Sequence, residues 1–208
     1  MSSPRTGKPQ QTRLVGAPAW TKLARMRQLT FRDVDQERWP DFERLFESRG
    51  APKSCWCMVW RARGEETRGI KGVDRKQAIE RRVRDGIPIG LLGYSDDLPV
   101  AWRSVAPRGT YRPLGGPSRP EEEEERIWSL VCFFIKRELR GEGMTTQLIQ
   151  AAAALARSKG AQILEAYPVD PNSPSYRFMG YFATFERAGF RHVGPAGLRR
   201  RVMRLDLD

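Results

Sequence analysis

Nine residues from Ile127 to Ile135, IWSLVCFFI, are apolar but for one serine and lie between Arg126 and Lys136. A run of that length without alternation suits a central strand covered on both faces better than an edge strand. Five residues later come Gly141 and Gly143, and then a helical run, Met144 to Lys159. That run sets Met144, Leu148, Ala152, Leu155 and Ala156 on one face and stops at Gly160. A second buried strand, AQILEAYPV, follows. The result is a β-loop-α-β unit, which brings its two strands together parallel or nearly so.

The rest of the chain must fit around that unit. LTFRDV reads as a first strand, and DQERWPDFERLFESRG as a helix with Trp39, Phe42, Leu45 and Phe46 at helical spacing and Gly50 at its end. VDRKQAIERRVRDG is a second helix, closed by Gly86. IPIGLLGYSDDLPVAWRSVAP is a β-hairpin turning at Ser95-Asp96-Asp97. After the central unit, SPSYRFMGYFATFERAGF reads as a further helix, and the C-terminal residues as two strands or one hairpin. The expected order is β α α β β β α β α β β, an α/β chain with a mixed, mostly antiparallel sheet flanked by helices.

Charge is unevenly placed in these 208 residues, whose formal net charge is +12. Of 37 basic residues, six lie in residues 1–28, which hold no acidic one, and the remainder sets 31 basic against 25 acidic. With its prolines and glycines the segment 1–28 reads as a disordered basic tail, and 29–208 as one domain. No aromatic residues interleave with Lys and Arg as a base-stacking platform would require, so nucleic acid is not the expected partner. The run Glu121–Glu125 reads as a solvated loop, the other reading being a field that favours a cationic substrate. No apolar run approaches membrane-spanning length and no signal core opens the chain, which points to the cytoplasm without membrane attachment. Three cysteines, Cys55, Cys57 and Cys132, with one histidine, His192, suit neither a disulfide framework nor a zinc site, so no metal is expected.

Two glycines before a helix make a phosphate-binding loop, because glycine lets successive N–H groups converge and the helix end adds partial positive charge. A P-loop would need Lys after Gly143, where Met144 stands. A dinucleotide fingerprint would need a third glycine at Thr146 and an early place in the chain. What remains is Arg140-Gly141-Glu142-Gly143-Met144-Thr145, and this stretch resembles the acetyl-CoA loop of the GNAT N-acetyltransferases. That signature is Arg or Gln, two residues, Gly, one residue, then Gly or Ala, between the fourth strand and third helix; Thr145 departs at its last position. FERAGF, Phe185 to Phe190, resembles the segment that ends the family's fourth helix, with Phe185 where many members carry tyrosine.

The resemblance, over residues 29–208, implies an acetyl-CoA-dependent N-acetyltransferase that acts directly in a ternary complex on a small-molecule amine, as a monomer or homodimer. A protein or peptide acceptor, and a CoA-binding module without turnover whose basic tail binds nucleic acid, are the alternatives. It also implies that Phe134, Ile135, Arg140, Gly141, Glu142, Gly143, Met144 and Thr145 bind the cofactor. SCWCMVWR, Ser54 to Arg61, would border the acceptor, with Trp56, Met58 and Trp60 on one side if the segment is extended. For the proton tasks the candidates are Tyr181, one helical turn before Phe185, as general acid, and Asp170, or Glu165 within its strand, as base. Cys132 reads as a small buried hydrophobe, since no histidine lies near it in sequence to activate it.

Overall fold

The computed structural model describes residues 27–67, 72–117 and 126–207. Its principal elements are β1 (Thr30–Asp33), α1 (Trp39–Glu47), α2 (Gly72–Arg84), β2 (Leu91–Ser95), β3 (Leu98–Pro107), β4 (Ile127–Ile135), α3 (Met144–Ser158), β5 (Ile163–Ala166), α4 (Phe182–Arg187), β6 (Arg191–Ala196) and β7 (Arg200–Asp206), in the expected order. One seven-stranded sheet results, ordered β1-β2-β3-β4-β5-β7-β6. β4 and β5 pair parallel and every other neighbouring pair is antiparallel. Most of the basic tail, residues 1–26, and the run Glu121–Glu125 lie outside the described residues. Arg27 already belongs to the fold, since its carbonyl accepts a hydrogen bond from Gln147 Nε2.

Each face of the sheet carries its own core. Phe42 and Phe46 of α1, Ile79 of α2, Trp56 and Met58 pack on one face with Trp102 and Phe134. Leu148 and Ala152 of α3 and Phe185 of α4 pack on the other with Val105 and Leu130. β4 is therefore enclosed on both sides, as its apolar run requires.

The β3–β4 register slips in mid-strand: Arg103 faces Phe133, but Val105 faces Leu130. Val131 and Cys132 thus stand opposite the single residue Ser104, a β-bulge that bends β4. The parallel ladder to β5 ends at the same level, with Leu130↔Ala166 its last pair. Past that point β4 and the chain after β5 diverge. Below it, Glu165 of β5 is fully buried and takes ion pairs from Arg108 (2.5 Å) and Arg204 (2.9 Å) and a hydrogen bond from the Tyr167 hydroxyl. These ties knit β5 to the end of β3 and to β7.

The helix expected across residues 173–190 is only Phe182–Arg187. Tyr176 has φ of 63° and Gly180 of 90°, and two left-handed residues four apart cannot continue a helix. Gly180 cannot be replaced cheaply, because a Cβ there would lie 2.8 Å from the Phe185 ring and 2.9 Å from that of Phe133.

Beside that contact sits Arg103, fully buried, its guanidinium 3.4 Å from the centroid of the Phe133 ring and all three nitrogens without a hydrogen-bond partner. Burial pulls its pKa down to about 9. A buried cation without a carboxylate partner costs several kcal/mol, which the faces of Phe133 and, at 5.6 Å, Phe185 only partly offset. Arg103→Met is therefore expected to stabilise the fold by about 1–4 kcal/mol at neutral pH, read by urea denaturation. The folded-state pKa lies below the unfolded one, so the wild type recovers stability as pH rises through about 9, and the variant's advantage shrinks there.

Candidate active site

After β4 a single 3-10 turn, Arg137–Leu139, sinks Leu139 into the core, and Arg140 follows in extended conformation. Gly141 and Gly143 then take φ of 88° and 77°, which glycine adopts without strain. Gly143 is the N-cap of α3, and no side chain caps the helix. The first amides of α3 are thus left for an anion, with the helix dipole behind them. Arg140 donates its Nε to the Ile135 carbonyl (3.0 Å), which fixes the guanidinium beside the loop with its terminal nitrogens uncommitted.

The loop forms one wall of a cavity of about 650 Å³ in the gap between β4 and the chain that follows β5. Phe134, Ile135, Arg140, Gly141, Gly143, Met144 and Thr145 all line it, so seven of the eight residues expected to bind the cofactor meet in one place. Glu142 does not line it. The opposite wall is the irregular segment before α4, which contributes Arg177, Phe178 and Tyr181. Arg177 mirrors Arg140: its Nε is held by a backbone carbonyl, that of Ser173 at 2.8 Å. Sequence reasoning missed Arg177 and Phe178 because it assigned them to a regular helix.

Tyr181 reaches the cavity by a route other than the expected one. It is the extended N-cap of α4, 38% exposed, whereas Phe185 is fully buried against Phe133 and Phe190. The two rings therefore do not share a face, and Tyr181 supplies a phenol at the cavity wall while Phe185 belongs to the core.

A smaller pocket of about 290 Å³ adjoins the first and shares Pro52, Phe133, Phe134 and Phe178 with it. Its other lining residues are Cys55, Cys57, Val59, Trp60 and Cys132. Of the three residues expected to form an acceptor wall, only Trp60 lines this pocket. The 52–62 segment is not extended but coiled in successive turns, with Met58 N–H bonded to the Cys55 carbonyl and Arg61 N–H to that of Met58. Trp56 and Cys57 carry positive φ of 45° and 53°. Trp56 consequently stacks on Phe46 at 5.5 Å, and Met58 is buried entirely. Arg61 pins the coil to the sheet, donating Nη2 hydrogen bonds to the Ile89 carbonyl (2.7 Å) and Tyr111 hydroxyl (2.7 Å).

Cys57 is not poised as a nucleophile. Cys57 accepts a hydrogen bond from Trp102 Nε1 (3.0 Å), and a hydrogen bond with Cys132, followed by burial, pushes its pKa well above the usual thiol range. Nor do the expected bases reach the cavity. Asp170 is exposed and pairs with Arg201 at 2.9 Å, and Glu165 is committed to its two arginines. Among the described residues, no carboxylate and no imidazole lines either cavity. Among the described residues, no group of three His, Cys, Asp or Glu is placed to hold a metal ion, and no helix is long and apolar enough to cross a membrane.

The model of the acetyltransferase (GNAT) family matches residues 20–181, more than three quarters of the chain. No curated protein matches in sequence. Among solved structures, yncA from Salmonella typhimurium, determined with its cofactor acetyl-CoA, is 17% identical with a TM-score of 0.51, covering 87% of this chain and 95% of its own. An acetyltransferase from Thermus thermophilus is 18% identical with a TM-score of 0.53, over 88% of this chain and 99% of that one. Ribosomal-protein-alanine N-acetyltransferase from Brucella melitensis is 20% identical with a TM-score of 0.51, over 86% and 100%. At these identities the likeness is one of fold.

Gly143→Val places a β-branched residue where φ is 77°. It is expected to weaken acetyl-CoA binding by about five- to thirtyfold in titration calorimetry, as the free loop leaves the binding conformation to escape a left-handed strain of about 1–2 kcal/mol, with the far-ultraviolet circular dichroism unaltered.

Proposed function

The chain belongs to the GNAT acetyltransferase family, whose acetyl donor is acetyl-CoA, and on that premise we propose that it transfers the acetyl group directly to the amine of a small molecule within a ternary complex. The observation that carries this reading is the junction of the two cavities: the phosphate-binding loop opens into the larger one, and Phe133, Phe134 and Phe178 lead from there into the smaller.

The residues fit the donor. Two left-handed glycines and the uncapped start of α3 suit phosphate oxygens, and Arg140 adds a fixed cation with paired terminal donors. Thr145 also lines the cavity, a larger neighbour to a pyrophosphate than Gly or Ala. Residues 134 and 135 lie beyond the end of the β4–β5 ladder, where strand-like backbone pairing suits the amides of pantetheine. When bound, acetyl-CoA supplies a thioester carbonyl open to attack by an amine.

The chain itself binds, orients and excludes water. Holding amine and carbonyl together removes much of the entropic cost of a bimolecular step. Tyr181 is the phenol on the cavity wall and serves as proton donor toward the departing sulfur. Asp170 and Glu165 do not serve as bases, since each is held by arginine and neither lines a cavity. A small acceptor is favoured over a peptide because the smaller pocket is walled by apolar side chains and thiols. A buried peptide backbone would find few partners there.

A thiol-release screen over small amines and peptides tests the acceptor class, with turnover expected for a small amine carrying an apolar group. Tyr181→Phe should lower kcat by about a hundredfold and leave acetyl-CoA affinity unchanged; an unaltered rate rejects its role.

A further inference from the structure

Trp60 separates the apolar pocket from a cluster of arginines. Its ring lies 4.4 Å from the Arg200 guanidinium carbon and 5.4 Å from that of Arg112, and 6.1 Å from the ring of Tyr176. Arg200 also lies 5.3 Å from the Tyr176 ring. Tyr176 opens the stretch Tyr176-Arg177-Phe178, whose last two residues line the larger cavity, so cluster and cavities meet on one wall.

Among the described residues these arginines meet no carboxylate. Arg112 donates to the Val59 carbonyl, Arg177 to that of Ser173, Arg199 to the Ser175 hydroxyl and Arg200 to the Leu114 carbonyl, and none of the four is paired with a carboxylate among the described residues. The nearby Asp170 is already taken by Arg201. Arg200 is half-buried, and burial lowers its pKa, with the charge of Arg112 adding to the effect against the opposite pull of Tyr176 and Tyr167. The Trp60 indole N–H is itself buried without an acceptor.

Arginines left unneutralised beside an apolar pocket, with a buried N–H lacking its acceptor, are the complement of an anionic group joined to an apolar body. Resting on the transferase reading above, we infer that the acceptor is an amine that carries a carboxylate or another anion on an apolar, ring-sized frame, the frame entering the pocket beside Trp60 and the anion meeting Arg200 and Arg112. Polyamines and other multiply cationic amines are disfavoured by the charge of these arginines. The field also assists the chemistry: the arginines outnumber the acceptor's single anion, and an ammonium near a net positive cluster releases its proton more readily, so the attacking amine is neutral at lower pH than in water. That supplies a physical account of a site in which no described lining residue is a carboxylate base.

The test compares matched probes. Thiol release is measured with L-phenylalanine, L-phenylalaninamide, phenethylamine and spermidine, and binding of 3-phenylpropionate and 3-phenylpropionamide is followed by tryptophan fluorescence without any turnover. The carboxylate-bearing amine is expected to show at least about tenfold higher kcat/KM than its neutral partners, chiefly through KM. The acid probe should bind at least about tenfold more tightly than the amide and lose that margin with salt. Arg200→Gln and, separately, the exposed Arg112→Gln should shrink both margins while acetyl-CoA affinity is retained, which also shows that the variants fold. Equal affinity for acid and amide, including no measurable binding of either, overturns the inference, as does a preference for spermidine. Absence of acetyl-CoA binding would instead overturn the transferase reading, and the phenylpropionate pair would still decide the anion preference.

Discussion

The extra residue in β4 is the constraint on which the site depends. With Val131 and Cys132 set against Ser104 alone, β4 bends at the level where its ladder to β5 stops. A parallel pair kept in register to its end would leave no gap, and the glycine loop would then start α3 against a closed sheet. The bend is held from below by the buried Glu165 with Arg108 and Arg204, and alongside by Arg103 stacked on Phe133. A carboxylate with two cations fixes where the strands stay together, and an aromatic ring over a lone cation marks where they part.

Much of this was legible in the sequence. The order of elements, the parallel pair and the double burial of β4 follow from periodicity and from the apolar run at Ile127–Ile135. The loop was legible because glycine and arginine types at fixed spacing report backbone conformation directly. What failed were stretches whose conformation rests on long-range contacts. SCWCMVWR alternates like a strand, yet Arg61 is drawn into the core by Ile89, Ser104 and Tyr111, residues far away in sequence, and the segment coils to let it reach them. The segment around Tyr181 has helical composition, yet Gly180 must pass close to two phenylalanine rings, and that passage ends the regularity. No local pattern carries either fact, and the β4 bulge has no sequence signature at all.

Charge is distributed with the same asymmetry as shape. The formal +12 of the whole chain does not say how its cations are used, and the fold sorts its arginines by partner. Arg108 and Arg204 are spent on Glu165, Arg82 on Glu66 and Arg201 on Asp170. Arg140 and Arg177 face each other across the larger cavity with their Nε atoms anchored to carbonyls. Net charge alone could not distinguish these populations; the count of carboxylates within reach of each guanidinium does.

The wall of the cavity opposite the glycine loop is built unlike the floor. Its floor belongs to a seven-stranded sheet, whereas the wall around Arg177–Tyr181 joins the sheet through isolated bridges of Val169 and through the Val169 and Phe182 amides. Releasing that wall breaks a few hydrogen bonds and uncovers Met179, with the central ladders untouched. An opening of this segment alone, shallower than global unfolding, is therefore expected, with its amides exchanging apart from those of β4. Ligand dwell time would then follow the stability of one short irregular segment, and mutations that strengthen the sheet would raise the melting temperature without slowing exchange at the site.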